Sequence, residues 1–181
     1  MKFPFALASA LVLLLAVSSC EKHSTDHGDE HMVPAIFRLL LVSQTDTATA
    51  TWSDLDGPGG NQPQTTTLQL RPGTYQGRLE IFTADGDTLT TVIRQQGTEH
   101  QLFYTPSSTL ANIVTITIAD RDARGMPLGL ETSWEIKQVQ APISSSIRIQ
   151  LYHYEPNTKD GQSPSTETDA DISVPVKVVV P

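Results

Sequence analysis

The closing stretch Ile172-Ser173-Val174-Pro175-Val176-Lys177-Val178-Val179-Val180 sets Val174, Val176, Val178 and Val180 on one face of an extended chain. Side chains of a strand alternate between faces, so a period of two marks a strand with one side turned to a core. Working back from this end, the same period recurs. Ile113–Ile118 places Val114, Ile116 and Ile118 opposite Thr115 and Thr117, and Ser146–His153 turns Ile147, Ile149 and Leu151 inward. Leu128–Lys137, Thr74–Thr83, Thr65–Leu70 and Asp46–Trp52 read as further strands, and the largely apolar Ala35–Val42 reads as a central one. Pro72-Gly73 reads as the turn of a hairpin between two of them. Asp54–Asn61, Asp120–Gly129 and Pro156–Thr168 are loops by composition.

About nine short strands broken by frequent turns predict an all-β fold, an Ig-like antiparallel β-sandwich, with a β-barrel as the alternative. One segment departs from the period of two. Leu89, Val92 and Ile93 follow helical spacing, with Asp87 as a candidate N-cap and Gly97 as a candidate C-cap, which predicts one short helix. It leads into Glu99-His100-Gln101-Leu102-Phe103-Tyr104.

The front of the chain has a different composition. Lys2 is followed by an uncharged run from Phe3 to Val17 and then by Val17-Ser18-Ser19-Cys20. A short cationic start, an apolar stretch too short to span comfortably and small residues before a cysteine form a bacterial lipobox. Residues 1–19 are therefore expected to be a lipoprotein signal peptide, with Cys20 the lipidated first residue. Several acyl chains at about 0.8 kcal/mol per buried CH₂ anchor stably where a single chain does not. Residues 20–33 read as a lipidated polar tether, and residues 34–181 as the sandwich domain.

The chain of 181 residues carries 20 Asp and Glu against 12 Lys and Arg, a formal net charge of −8. That balance argues against a nucleic-acid partner, since nothing here would neutralise a run of phosphates. The single cysteine excludes a disulfide framework and a cysteine zinc ribbon.

Candidate ligands fall into three groups. Glu21–His31 contains no apolar residue and holds His23, His27 and His31 at intervals of four among Asp26, Asp29 and Glu30. It reads either as a metal-collecting tail or as a solvated linker with incidental histidines. Its match to an H-x-x-E-H peptidase pattern lacks the rigid helix that such chemistry requires. The second group comprises the pairs Asp54/Asp56, Asp85/Asp87, Asp120/Asp122 and Asp169/Asp171. Carboxylates two apart on extended backbone point the same way and suit Ca²⁺, although Asp is also an ordinary turn residue. Asp54, Asp56, Asp120 and Asp122 are the acidic loop candidates. The third group is His100 and His153, beside Tyr104, Tyr152 and Tyr154. Brought together, with Glu99 or Glu155, they would form a site for Zn²⁺ or a small ligand, and otherwise they are packed, hydrogen-bonded side chains. No G-x-S-x-G, P-loop or dinucleotide fingerprint is present, so no enzyme is expected.

Several of these segments recur in order in a family of short lipoproteins from Bacteroidetes-type bacteria. They are Trp52-Ser53-Asp54-Leu55-Asp56-Gly57, Glu99–Tyr104, Asp120–Leu130, Leu151-Tyr152-His153-Tyr154-Glu155-Pro156 and the acidic-to-apolar strand from Glu167. The chain resembles that family, which carries the label of a type 1 periplasmic-binding-fold superfamily. The label implies an α/β fold, against which the period of two points to β structure. The resemblance implies an outer-membrane lipoprotein, periplasmic or surface-facing, that works beside a TonB-dependent receptor, and it supplies no catalytic residue. Cys20-Glu21-Lys22 followed by His23-Ser24 matches a surface-export signal in part and leaves the leaflet open. The expected function is accessory capture of a divalent metal or nutrient. The alternative is a structural or adhesive surface module without small-molecule cargo.

Overall fold

The computed structural model describes residues 33–180. The signal segment, Cys20 and the tether histidines His23, His27 and His31 lie outside the described residues. The described strands are β1 (Ile36–Val42), β2 (Thr47–Ser53), β3 (Gln64–Thr65), β4 (Leu68–Leu70) and β5 (Gly73–Phe82), followed by helix α1 (Thr90–Gln95). After the helix come β6 (His100–Pro106), β7 (Val114–Ile118), β8 (Glu131–Ile136), β9 (Ile143–His153) and β10 (Glu167–Val178). They form two open sheets, one in the order β3-β2-β1-β5-β8-β7 and the other in the order β4-β10-β9-β6. The described residues form an all-β sandwich with one short helix. Neither sheet closes on itself, so the barrel alternative and the α/β fold of the family label are both overturned.

Alternation built the core as expected. Phe37, Leu39 and Leu41 of β1 and Leu79 and Ile81 of β5 are buried with Trp134 of β8. The facing sheet contributes Ile147, Ile149, Leu151, Ile172, Val174, Val176 and Val178 to the same cluster. Val180 falls outside this face, because β10 ends at Val178 and Val180 is exposed. Pro175 sits in a strand with a neighbour on each side, where proline normally costs a ladder bond. The Val179 N–H bonds the Leu70 carbonyl, so N–H groups of this parity face β4. β4 pairs only from Val176 onward, and the N–H that Pro175 lacks has no partner to lose there.

Four local expectations need correction. Thr65–Leu70 is not one strand: β3 pairs with β2, whereas β4 pairs in parallel with β10 in the other sheet. Burial explains the crossing, because Leu68 and Leu70 are fully enclosed between the sheets. Pro72-Gly73 is consequently a corner between sheets and not a hairpin turn, with Gly73 at a φ of 147°. The Tyr75 hydroxyl locks this corner, donating toward the Arg71 carbonyl (3.1 Å) and the Asp46 carboxylate (3.0 Å) and accepting the Arg71 N–H (3.2 Å). Such a tyrosine corner is a hallmark of immunoglobulin-type sandwiches.

Asp87 does not cap the helix. Leu89 occupies the N-cap position without a side-chain bond, and Thr90 instead ties the first turn to β5 through the Ile81 N–H (2.8 Å). The C-cap is Gln96 rather than Gly97. His100–Pro106, which reads in sequence only as the segment after the helix, is the edge strand β6. Its Leu102 enters the core.

Candidate metal centre

Antiparallel pairing of β6 with β9 sets His100, the first residue of one strand, directly opposite His153, the last residue of the other. Directly opposed residues hold their Cβ atoms about 4.5–5.5 Å apart. The two imidazoles meet edge to face with centroids 4.7 Å apart. β10 joins the far side of β9, and its register slips between Thr168 and Ala170, which leaves Asp169 as the extra residue of a β-bulge. A bulge re-aims the side chain of its extra residue. The Asp169 Oδ2 atom comes to 3.5 Å from His100 Nε2 and 3.8 Å from His153 Nδ1.

One donor atom from each of His100, His153 and Asp169 lies within 4.8 Å of the other two. A tetrahedral ion with bonds of about 2.0–2.1 Å holds its ligand atoms about 3.4 Å apart, close to both carboxylate–imidazole distances. The His100 Nδ1–H donates to the Gln96 carbonyl at 3.1 Å, which leaves Nε2 as the lone-pair nitrogen turned to Asp169. Metal-ligating histidines are commonly oriented by such a bond from the other ring nitrogen. Burial lowers the His100 imidazole below its ordinary value, more than the Gln96 bond and the Asp169 charge raise it. The ring is therefore neutral near pH 7, the form that ligates.

Glu99 and Glu155, the acidic partners considered for the two histidines, are not in this cluster. The three tyrosines are engaged elsewhere. Tyr104 donates to the Gly129 carbonyl (2.7 Å), Tyr154 to the Ser163 carbonyl (2.7 Å), and Tyr152 accepts from Gln150 (2.8 Å). Burial pushes the Tyr104 hydroxyl far up and that of Tyr154 up to about 12.

Three of the four acidic loop candidates, Asp56, Asp120 and Asp122, hold the chain's own donors. The two Asp120 oxygens accept the Gly129 N–H (2.7 Å) and the Leu130 N–H (3.1 Å). Asp122 Oδ1 accepts the Arg124 N–H (2.8 Å) and the Met126 N–H (2.9 Å), which shapes the expected long hairpin tip between β7 and β8. Asp56 closes the Asp54–Asn61 loop by accepting the Asn61 N–H at 2.9 Å, while Asp54 Oδ1 is buried without a hydrogen-bond partner. Asp85 and Asp87 are exposed in the turn before α1. The expectation that Asp169 and Asp171 point the same way fails at the bulge: Asp169 turns to the histidines, whereas Asp171 pairs with Arg148.

Sequence reasoning did not single out Lys159. Its side chain and that of Asp122 are both fully buried, and its ammonium donates to Asp122 Oδ2 (2.9 Å), the Gly97 carbonyl (2.7 Å) and the His100 carbonyl (2.8 Å). Burial would raise the Asp122 carboxyl. The Lys159 bond and the Met126 and Arg124 N–H groups outweigh it and hold the carboxyl below its usual range. Three acceptors for the three donors of an ammonium identify Lys159 as charged. No short sequence signal marks it, since it lies in a polar loop between Thr158 and Asp160.

Comparison with protein-family models, with curated proteins and with solved structures gives no match to this chain.

Proposed function

We propose that this protein is a lipid-anchored outer-membrane binding protein that captures a divalent transition metal at His100, His153 and Asp169. In this reading it serves as an accessory to a TonB-dependent receptor. The observation that carries the metal assignment is the bulge of β10, which turns a carboxylate onto two opposed imidazoles. Two nitrogens and one oxygen favour Zn²⁺ or a similar ion over Ca²⁺, which takes six to eight oxygens. Three protein ligands leave a fourth position for water or for a ligand exchanged during transfer, as suits cargo held for delivery. His153 and Asp169 are partly exposed, so an ion could reach them from solvent. The lipobox at Cys20 supports the anchor, and His23, His27 and His31 of the tether would add metal ligands of their own.

Calorimetric titration of Zn²⁺ into residues 21–181 tests this. One-site binding should survive replacement of the three tether histidines by glutamine, and His153→Ala or Asp169→Ala should abolish it. Zn²⁺ uptake no greater than that of an unrelated acidic protein would overturn the metal assignment. Release of the protein from membranes by Cys20→Ser tests the anchor separately.

A further inference from the structure

The loop between β9 and β10 joins two of the three ligands, since it begins after His153 and ends before Asp169. Lys159 lies in this loop, and its ammonium rests on the backbone of the third ligand through the His100 carbonyl at 2.8 Å. It also holds the Gly97 carbonyl at 2.7 Å, just after α1, and is itself held by Asp122 from the β7–β8 hairpin at 2.9 Å. Nearby, the Tyr154 N–H bonds the Glu99 carbonyl at 2.7 Å, so the loop is fastened to the start of β6 on both sides of His100. Buried ion pairs are poor sources of net stability, and apolar replacements of similar volume often serve as well. What this pair supplies is register between three separate segments.

We infer that Lys159 is the positioning residue of the metal centre, fixing the His100 backbone against the loop that connects His153, the last residue of β9, to β10, which carries Asp169. The inference rests on the metal reading above. Lys159 touches no metal. Its ammonium uses all three donors on the chain, and loss of those contacts frees the segment Gln96–His100 to move relative to the other two ligands. Groups that orient a ligand from behind are typically worth about 10- to 100-fold in metal affinity.

Co²⁺ is the probe, added to detergent-solubilised full chain with His23, His27 and His31 replaced by glutamine. Its visible absorption reports ligand geometry directly. The variant to compare is Lys159→Met combined with Asp122→Asn, which removes both charges together while an Asn oxygen can still accept the Arg124 and Met126 N–H groups. Lys159→Arg provides a second test, because it keeps the charge but cannot place three donors on the same acceptors. Both should bind Co²⁺ about 10- to 100-fold more weakly, with an altered visible spectrum at saturation. Near-ultraviolet circular dichroism from buried Trp134 should stay native in each. Gly77→Ala, which loosens the opposite sheet, should lower the melting temperature yet keep parental affinity and spectrum.

Parental affinity and spectrum in either folded Lys159 variant would overturn the positioning role. An equal loss in Gly77→Ala would overturn it too, by assigning the effect to general destabilisation. Failure of the metal reading looks different: the parent chain itself would show no Co²⁺ spectrum that His153→Ala removes.

Discussion

Replacing Lys159 by Met should be among the most damaging single changes in this protein, although the residue lies in a polar surface loop by sequence. The ammonium makes three charge-assisted bonds, and bonds to charged groups contribute about 1.5–3 kcal/mol each. Their sum is a ceiling, because burying the ammonium itself costs several kcal/mol that the folded state no longer bears once Met replaces it. The dominant loss is the Asp122 carboxylate, fully buried and left with the Arg124 and Met126 N–H groups alone. Breaking a buried pair from one side costs about 3–5 kcal/mol. With Asp122→Asn added, the stranded charge disappears and the deficit should shrink to the cost of the carbonyls left at Gly97 and His100, about 1–3 kcal/mol for each that water does not reach. Urea unfolding followed by the fluorescence of buried Trp134 measures both variants. At an m-value of about 1–3 kcal/mol per molar, the single variant should lose about 2 M in midpoint. A loss below about 1 kcal/mol in Lys159→Met, or a double variant as unstable as the single one, would refute the assignment of a buried charge pair.

Two further outcomes follow from the same structure. Gly77 faces Thr132 across the ladder, and a Cβ there would press on the Thr132 hydroxyl, the Leu41 side chain and the indole nitrogen of Trp134. Gly77→Ala should therefore cost about 1–3 kcal/mol, read as a lower melting temperature, and an unchanged melting temperature would contradict the packing described for this sheet. The acid limb of stability should carry the signature of Asp122. Its folded pKa lies below the unfolded value of about 3.9, so its contribution is complete above that pH and is lost as the pH falls through the folded value. The stability gap between the parent and Asp122→Asn should accordingly be constant from pH 7 to about 5 and close in the more acidic range. A gap that widened on acidification would reverse the sign assigned to this group.

The strands were legible because burial of one sheet face writes itself into the chain as a period of two. Val174, Val176 and Val178, Ile147, Ile149 and Leu151, and Ala48 and Ala50 all entered the core on the expected side. Elements decided by long-range contacts were less legible. Thr65–Leu70 looks continuous, yet it divides between two sheets because β10, a hundred or so residues later, provides the parallel edge that Leu68–Leu70 joins. Asp87 has the chemistry of an N-cap, but Thr90 reaches the β5 backbone instead, and that contact sets where the helix begins.

The candidate centre divides along the same line. Composition and motif established the acidic balance and the absence of a cysteine framework, and they raised the lipobox expectation at Cys20 and the candidacy of His100 and His153. None of these depends on which strands are neighbours. Lys159 could not be chosen in that way, and Asp169, named only as half of the pair Asp169/Asp171, could not be matched to the histidines. Asp169 belongs to the centre because one extra residue in β10 turns its carboxylate toward two imidazoles that strand pairing had already opposed. Lys159 is buried because three segments distant in sequence place two carbonyls and a carboxylate around one ammonium. Periodicity is a local record of burial. A bulge and a shared acceptor cluster exist only when distant backbones meet, so tertiary structure alone decided them.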